Sequence, residues 1–178
     1  MPASTQSAVK VRSSRSDRNS VFRTMTFQAL LTAYLQVVEW IPLGRWNNVA
    51  NGNGQAQLDL VIAITQIVIL ILFWRRWRWL MAAGTIAYGW WAWLEIQSWW
   101  IPYFFGGSAQ WMDVYNRWFK NTYRFLPAID GHPIPDAEHT VLIALIACVL
   151  ISGVIATLRL FRVRTDRDAR TGPPPPTS

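Results

Sequence analysis

A single cysteine, Cys148, and two histidines, His132 and His139, are all that 178 residues offer of thiol and imidazole chemistry. One cysteine excludes an internal disulfide framework and a CxxC redox pair. The histidines bracket Asp136 and Glu138 in a proline-rich turn, which gathers ligand-type residues without a recognised metal spacing, so no metal is expected. A haem between helices would need histidines well inside apolar segments, and neither lies there, so no cofactor is expected. Asn51-Gly52-Asn53-Gly54 is a turn signal, not a phosphate loop, because no GKS or GKT follows. Charge is also scarce, at 15% of residues against about 25% in a typical soluble domain. Much of it sits in the two tails, which leaves a dry middle and argues against a soluble domain, a disordered chain or a disulfide-stapled module.

What fills that middle is apolar: 52% of the chain is hydrophobic, and the tryptophan-rich sequence holds 12 Trp. Four long apolar stretches are read as membrane spans over 24–41, 58–74, 79–101 and 140–161. All but four of the 17 basic residues lie before the first stretch, between the second and third, or after the fourth. The exceptions are Arg45, Arg117, Lys120 and Arg124. The positive-inside bias then places both termini and the Arg75 to Arg78 turn in the cytoplasm. Nucleic acid is not the expected partner of the basic tails, since no aromatic residue interleaves their arginines until Phe22 and Phe161.

The expected fold is therefore all-α: a polytopic protein of the cell (inner) membrane with four transmembrane helices and the lipid bilayer as its partner. A basic cytoplasmic tail occupies 1–23 and a basic, Pro-rich one 162–178, while the outer loops are 42–57 and 102–139. The first tail has the composition of an organelle transit sequence and equally of a solvated bacterial tail; without a small-residue cleavage site, the tail is the reading taken. Pro173 to Pro176 reads as an exposed polyproline II segment. Pro42-Leu43-Gly44 ends the first span, Pro102 the third, and Asp136 is placed to cap the fourth. Trp74, Trp77 and Trp79 flank Arg75, Arg76 and Arg78 as an interfacial belt.

The outer loop is too long to be a plain connection. Trp111, Val114 or Tyr115, Trp118, Thr122 and Phe125 fall on one side at helical spacing, and Asp113, Arg117, Lys120, Asn121 and Arg124 on the other. This predicts an amphipathic helix, either sunk among lipid headgroups or capping the bundle. On the fourth span Ala144, Cys148, Ser152 and Ala156 form a small-residue face, with Ala83 and Ala87 offering another on the third. Such a face serves packing within the bundle or docking of a membrane protein partner.

The acids carry the functional expectation. Glu39 lies sixteen residues beyond Arg23, Asp59 sixteen before Arg75 and Glu95 sixteen beyond Trp79, so each falls about 24 Å from the cytoplasmic rim. A lone carboxylate in hydrocarbon is costly, so all three are expected to turn inward. Gln28, Thr32, Gln36 and Glu39 make one polar stripe, Asp59 and Gln66 another, and Tyr88, Trp91 and Glu95 line a third. The expected site is an outward-facing acidic and aromatic pocket of Glu39, Asp59, Glu95, Gln36, Tyr88 and Trp91, able to hold a small cationic or amphipathic ligand and to carry it across the bilayer with proton exchange at Glu95. Two other readings stay open: an accessory or assembly subunit of a larger membrane complex, and a lipid-modifying membrane enzyme using one of the three acids as acid or base. No nucleophile is legible beside those acids.

Overall fold

A computed structural model describes residues 3–47 and 56–170, with side chains over 17–47 and 60–162. The Asn51 to Gly54 turn, the Pro173 to Pro176 segment and the side chain of Asp59 lie outside the described residues. Among the described residues the chain is all-helical: α1 Ala3–Trp40, α2 Ala56–Arg75, α3 Arg78–Glu95, α4 Ile101–Phe105, α5 Ala109–Trp118 and α6 Ala137–Arg170. A 3-10 turn, Gly44–Trp46, follows α1, and a π-turn, Ile96–Trp100, joins α3 to α4.

α1 draws most of the expected N-terminal tail into a helix of 38 residues, ~57 Å long. It stops where the proline and glycine require. Asn47, buried, donates from Nδ2 to the carbonyls of Val38 and Ile41 at 2.6 and 2.7 Å and accepts from the Leu43 amide at 3.0 Å, so one side chain satisfies an orphan carbonyl of the last turn and one just beyond it. Gly44 supplies the left-handed backbone (φ +65°) that turns the chain away.

The third helix does not end at Pro102 as its sequence suggests. The Ile101 amide bonds the Ile96 carbonyl, five residues back. Pro102 then enters at the start of α4, in the first turn, where a proline is tolerated. A π-turn immediately follows Glu95 as a result.

α6 packs against α1 and α3, and α2 against α1 and α3, closing a ring of four helices. The core joins residues from all four, including Leu31, Phe73, Met81 and Ile146, each fully buried. Gly84 lets α2 approach: a Cβ there would meet Ile69 Cγ2 at 2.9 Å. Gly153 does the same for α3 on α6, with Thr85 Oγ1 at 3.1 Å. The expected small-residue faces are therefore corrected. On α6, Ser152 and Ala156 are buried but Ala144 and Cys148 are exposed, and Ala83 and Ala87 on α3 are exposed while Gly84 packs.

The ring's outside is apolar and its inside partly polar. Val61, Ile64, Val68 and Ile71 on α2, Ile86, Trp90 and Trp93 on α3, and Ile151, Val154 and Leu158 on α6 are exposed. Thr24, Gln28, Gln66, Thr85 and Thr157 are buried. Among the described residues one helix is long and apolar enough to cross a membrane by length and composition, the Ala137–Arg162 part of α6; the apolar part of α2, Leu60–Arg75, is shorter.

Candidate functional site

The site is built on the first turn of α6. Pro133 and Pro135 are buried and hold the approach extended. Between them Ile134 is clamped by Tyr115, whose hydroxyl accepts from the Ile134 amide at 3.1 Å and lies 3.3 Å from its carbonyl. Asp136 then caps the helix: Oδ1 accepts from the His139 amide at 3.0 Å and from the His139 ring Nδ1 at 2.8 Å. Burial alone would raise the Asp136 carboxyl, but the hydrogen bonds and charge of His139 outweigh it and hold the group below its ordinary value of 3.8.

His139 is fixed from both sides by aromatic rings. Trp99, from the π-turn, lies under it with centroids 4.0 Å apart and planes tilted by 34°. Phe119 meets it edge-on at 5.6 Å. Trp99 is itself boxed by Trp111 at 5.4 Å and Phe119 at 4.9 Å. The aromatic side of α5 thus faces the bundle through Trp111 and Tyr115. α5 ends at Trp118, short of the expected Phe125, because the Phe119 carbonyl accepts from the Thr122 amide and hydroxyl and from Arg124. Arg124 also stacks over Tyr115 at 5.3 Å.

α3 contributes Tyr88, Trp91 and Glu95 from one stripe. The Tyr88 and Trp91 rings stack at 6.3 Å, and Trp91 Nε1 donates to Glu95 Oε1 at 3.3 Å. The other oxygen, Glu95 Oε2, is buried with no hydrogen-bond partner. Glu95 lies within electrostatic reach of His139 and Asp136. Glu138 in turn feels Glu39 from α1 as well as Glu95, and its carbonyl accepts from the Tyr34 hydroxyl at 3.0 Å. Trp46 Nε1 donates to that hydroxyl at 3.3 Å, tying the loop after α1 into the same network.

Of the residues singled out from the sequence, Glu39 and Glu95 each lie within electrostatic reach of Glu138 at the start of α6, and Trp91 is bonded to Glu95. Tyr88 sits deeper, 2% exposed, with its hydroxyl buried and unpartnered. Gln36 instead accepts from Trp40 Nε1 at 3.1 Å on an exposed face. Asp59 belongs to α2, but its side chain lies outside the described residues. The sequence reading placed Glu138 and His139 in a proline-rich turn outside the expected site, whereas here they adjoin Asp136, itself 1% exposed. The signal was present: an Asp-Ala-Glu-His turn heads the described helix that is long and apolar enough to cross a membrane, beside a loop rich in aromatic rings. Among the described residues no group of three or more His, Cys, Asp and Glu is arranged to hold a metal ion.

Four carboxylates, one imidazole and several ring faces converge here. Such a set can attract a cation, pass a proton between carboxylate and imidazole, and exclude water behind indoles. Arg45 donates to the Asn121 carbonyl at 3.2 Å and Arg124 to that of Phe119 at 3.3 Å. Neither forms an ion pair with Glu95. No protein-family model, curated protein or solved structure matches this chain.

Proposed function

We propose that the chain is a multi-pass protein of the cell (inner) membrane, with four spans and both termini cytoplasmic, whose outer end binds a small cationic or amphipathic ligand at Glu95. The exposed apolar residues on α2, α3 and α6 and the buried Gln28 and Gln66 support a lipid surround. The arginine distribution supports the orientation. α3, the π-turn and α4 follow without a break from Arg78 to Phe105, and this continuity supports a third span longer than α3 alone.

The observation that carries the binding reading is Glu95 itself. One oxygen is held by Trp91 and the other is buried without a hydrogen-bond partner, within electrostatic reach of Asp136 and His139. A cation there gains a charge and a ring face at once, and both are strengthened where water is excluded. The test is a titration of tetraphenylphosphonium into the protein in lipid nanodiscs, followed by tryptophan fluorescence. Wild type quenches saturably, and Glu95→Gln loses that saturable phase. Equal affinity in the two proteins defeats the proposal.

Assembly into a larger complex is the second reading, favoured by Ala144 and Cys148, small residues four apart that α6 leaves exposed. A stoichiometric membrane partner recovered in mild detergent, and lost in Ala144→Leu, is its expected result.

A further inference from the structure

Midway along the bundle, well away from the acidic end, stands a second polar group that the ligand reading does not use. Gln28 of α1 is 0% exposed, and neither its Nε2 nor its Oε1 has a hydrogen-bond partner. Gln66 of α2 is 2% exposed; its Oε1 accepts from the Thr32 hydroxyl at 2.6 Å, while its Nε2 is unpartnered. Two donors and an acceptor thus face the interior between α1 and α2 with nothing among the described residues to satisfy them. A buried amide demands partners, and small polar molecules are what such sites admit.

These amides are not isolated. Ser20, Thr24, Gln28 and Thr32 place one polar side chain on each turn of α1, about 6 Å apart along the axis, and the stripe continues toward the acidic end through Gln36, bonded to Trp40 on a more exposed face, and Glu39. One water with two hydrogen bonds bridges about that distance. The hydroxyls of Ser20, Thr24 and Thr32 lie 2.8, 3.1 and 2.9 Å from carbonyls of their own helix, which leaves their oxygens able to accept from a water. Across the bundle Thr85 and Thr157 touch at 3.5 Å. At the upper end of the stripe stand Glu39, Glu95, Asp136, Glu138 and His139, and at the lower end Asp17, Arg18 and Arg23.

We infer that Gln28, Thr32 and Gln66 order a file of water along α1 that conducts protons between the acidic end and the arginine end of the bundle. A proton enters on a carboxylate of the acidic end and passes from water to water, each step making one O–H bond and breaking another. The amides stay neutral, donating from Nε2 and accepting at Oε1 to orient the waters. The inference rests on the membrane-spanning reading and gives the ligand site its coupling to protons.

The experiment uses the full chain in liposomes holding a pH-sensitive dye, with a potassium diffusion potential as the driving force. Wild type is expected to acidify the lumen, and Gln28→Leu/Gln66→Leu to fall to the leak of protein-free vesicles. Retained tetraphenylphosphonium binding in that variant would show that the acidic end is intact, so loss of the path and loss of the ligand site are told apart. Flux in wild type no greater than in empty vesicles overturns the inference, as does undiminished flux in the double variant. If the leucine pair fails to fold, Thr32→Val, which removes a hydroxyl and keeps the shape, must lower the flux; unchanged flux overturns the inference equally.

Discussion

Tryptophan does different work at the two ends of the bundle. At the arginine end α2 and α3 are joined by two residues, with Arg76 in a left-handed conformation (φ 52°), and the turn is exposed among the described residues, Trp77 at 56%. Trp79 is 67% exposed there, and the Arg78 guanidinium lies 5.2 Å from its ring and 5.2 Å from that of Phe161. At the loop-rich end α5 and the Pro133 to Pro135 segment fold over the helices, and Trp99 is 4% exposed among Trp111, Tyr115, Phe119 and His139. The difference is cover. An indole left bare beside cations suits a membrane interface, and an indole walled in becomes the centre of a small core. Charge follows the same division, since arginines stay in contact with solvent while the carboxylates are drawn inside.

The largest expected effect breaks that contrast directly. Trp99→Ala removes the ring that three others and His139 rest on, and should lower unfolding stability by about 3–5 kcal/mol, the range for burial lost from a large aromatic residue. Trp79→Ala should cost no more than about 0.5 kcal/mol, as for an exposed side chain. Urea unfolding of both variants in the same detergent, followed by circular dichroism, checks the pair. Equal losses would mean that exposure does not separate the two ends.

A smaller effect sharpens the electrostatic half. Asp136→Asn keeps a capping oxygen but replaces a charge-assisted bond to His139, and is expected to cost about 1.5–3 kcal/mol at neutral pH. The Asp136 carboxyl is held below its ordinary 3.8. Its stabilisation is therefore complete above that value and is lost as pH falls through the lower folded one. Wild type should lose stability on acidification below about pH 4, with a component missing from Asp136→Asn. The arginine end has no counterpart, because guanidinium stays charged throughout. Parallel acid slopes in the two proteins would remove Asp136 from the account.

What was legible in the sequence was local. The end of α1 before Pro42, the turn between Trp74 and Trp79, and the Asp136 cap each depend on residues within one or two turns of one another. The burial of His139 depends on Trp99, which is forty residues distant in sequence, and on α5 folding across it. No periodicity reports such a contact. The π-turn after Glu95 was hidden because Pro102 reads as a stop, whereas a five-residue bond to Ile96 makes room for it. The small-residue face of α6 failed for a geometric reason. A fixed four-residue step drifts around the helix, and the buried track runs instead through Leu142, Ile146, Val149, Gly153 and Ala156. Of the acids, Glu39 and Glu95 were singled out from their depth, whereas Glu138 and His139, whose charges reach Glu95, were not.

The smallest effect concerns α5, whose sequence left open whether it caps the bundle or lies in headgroups. Its Trp111 and Tyr115 face Trp99, while Asp113 and Arg117 pair four residues apart on the opposite, exposed side. If capping is what α5 does, this pair is an ordinary solvated one. A double-mutant cycle with Asp113→Ala and Arg117→Ala should then give a coupling of only about 0.3–0.5 kcal/mol, fading with added salt. In nanodiscs, exchanging neutral for anionic lipid should leave the coupling unchanged, because a guanidinium held over the bundle meets no phosphate. A coupling that collapses in anionic lipid would put Arg117 among headgroups, and the cover over Trp99 would then belong partly to the membrane.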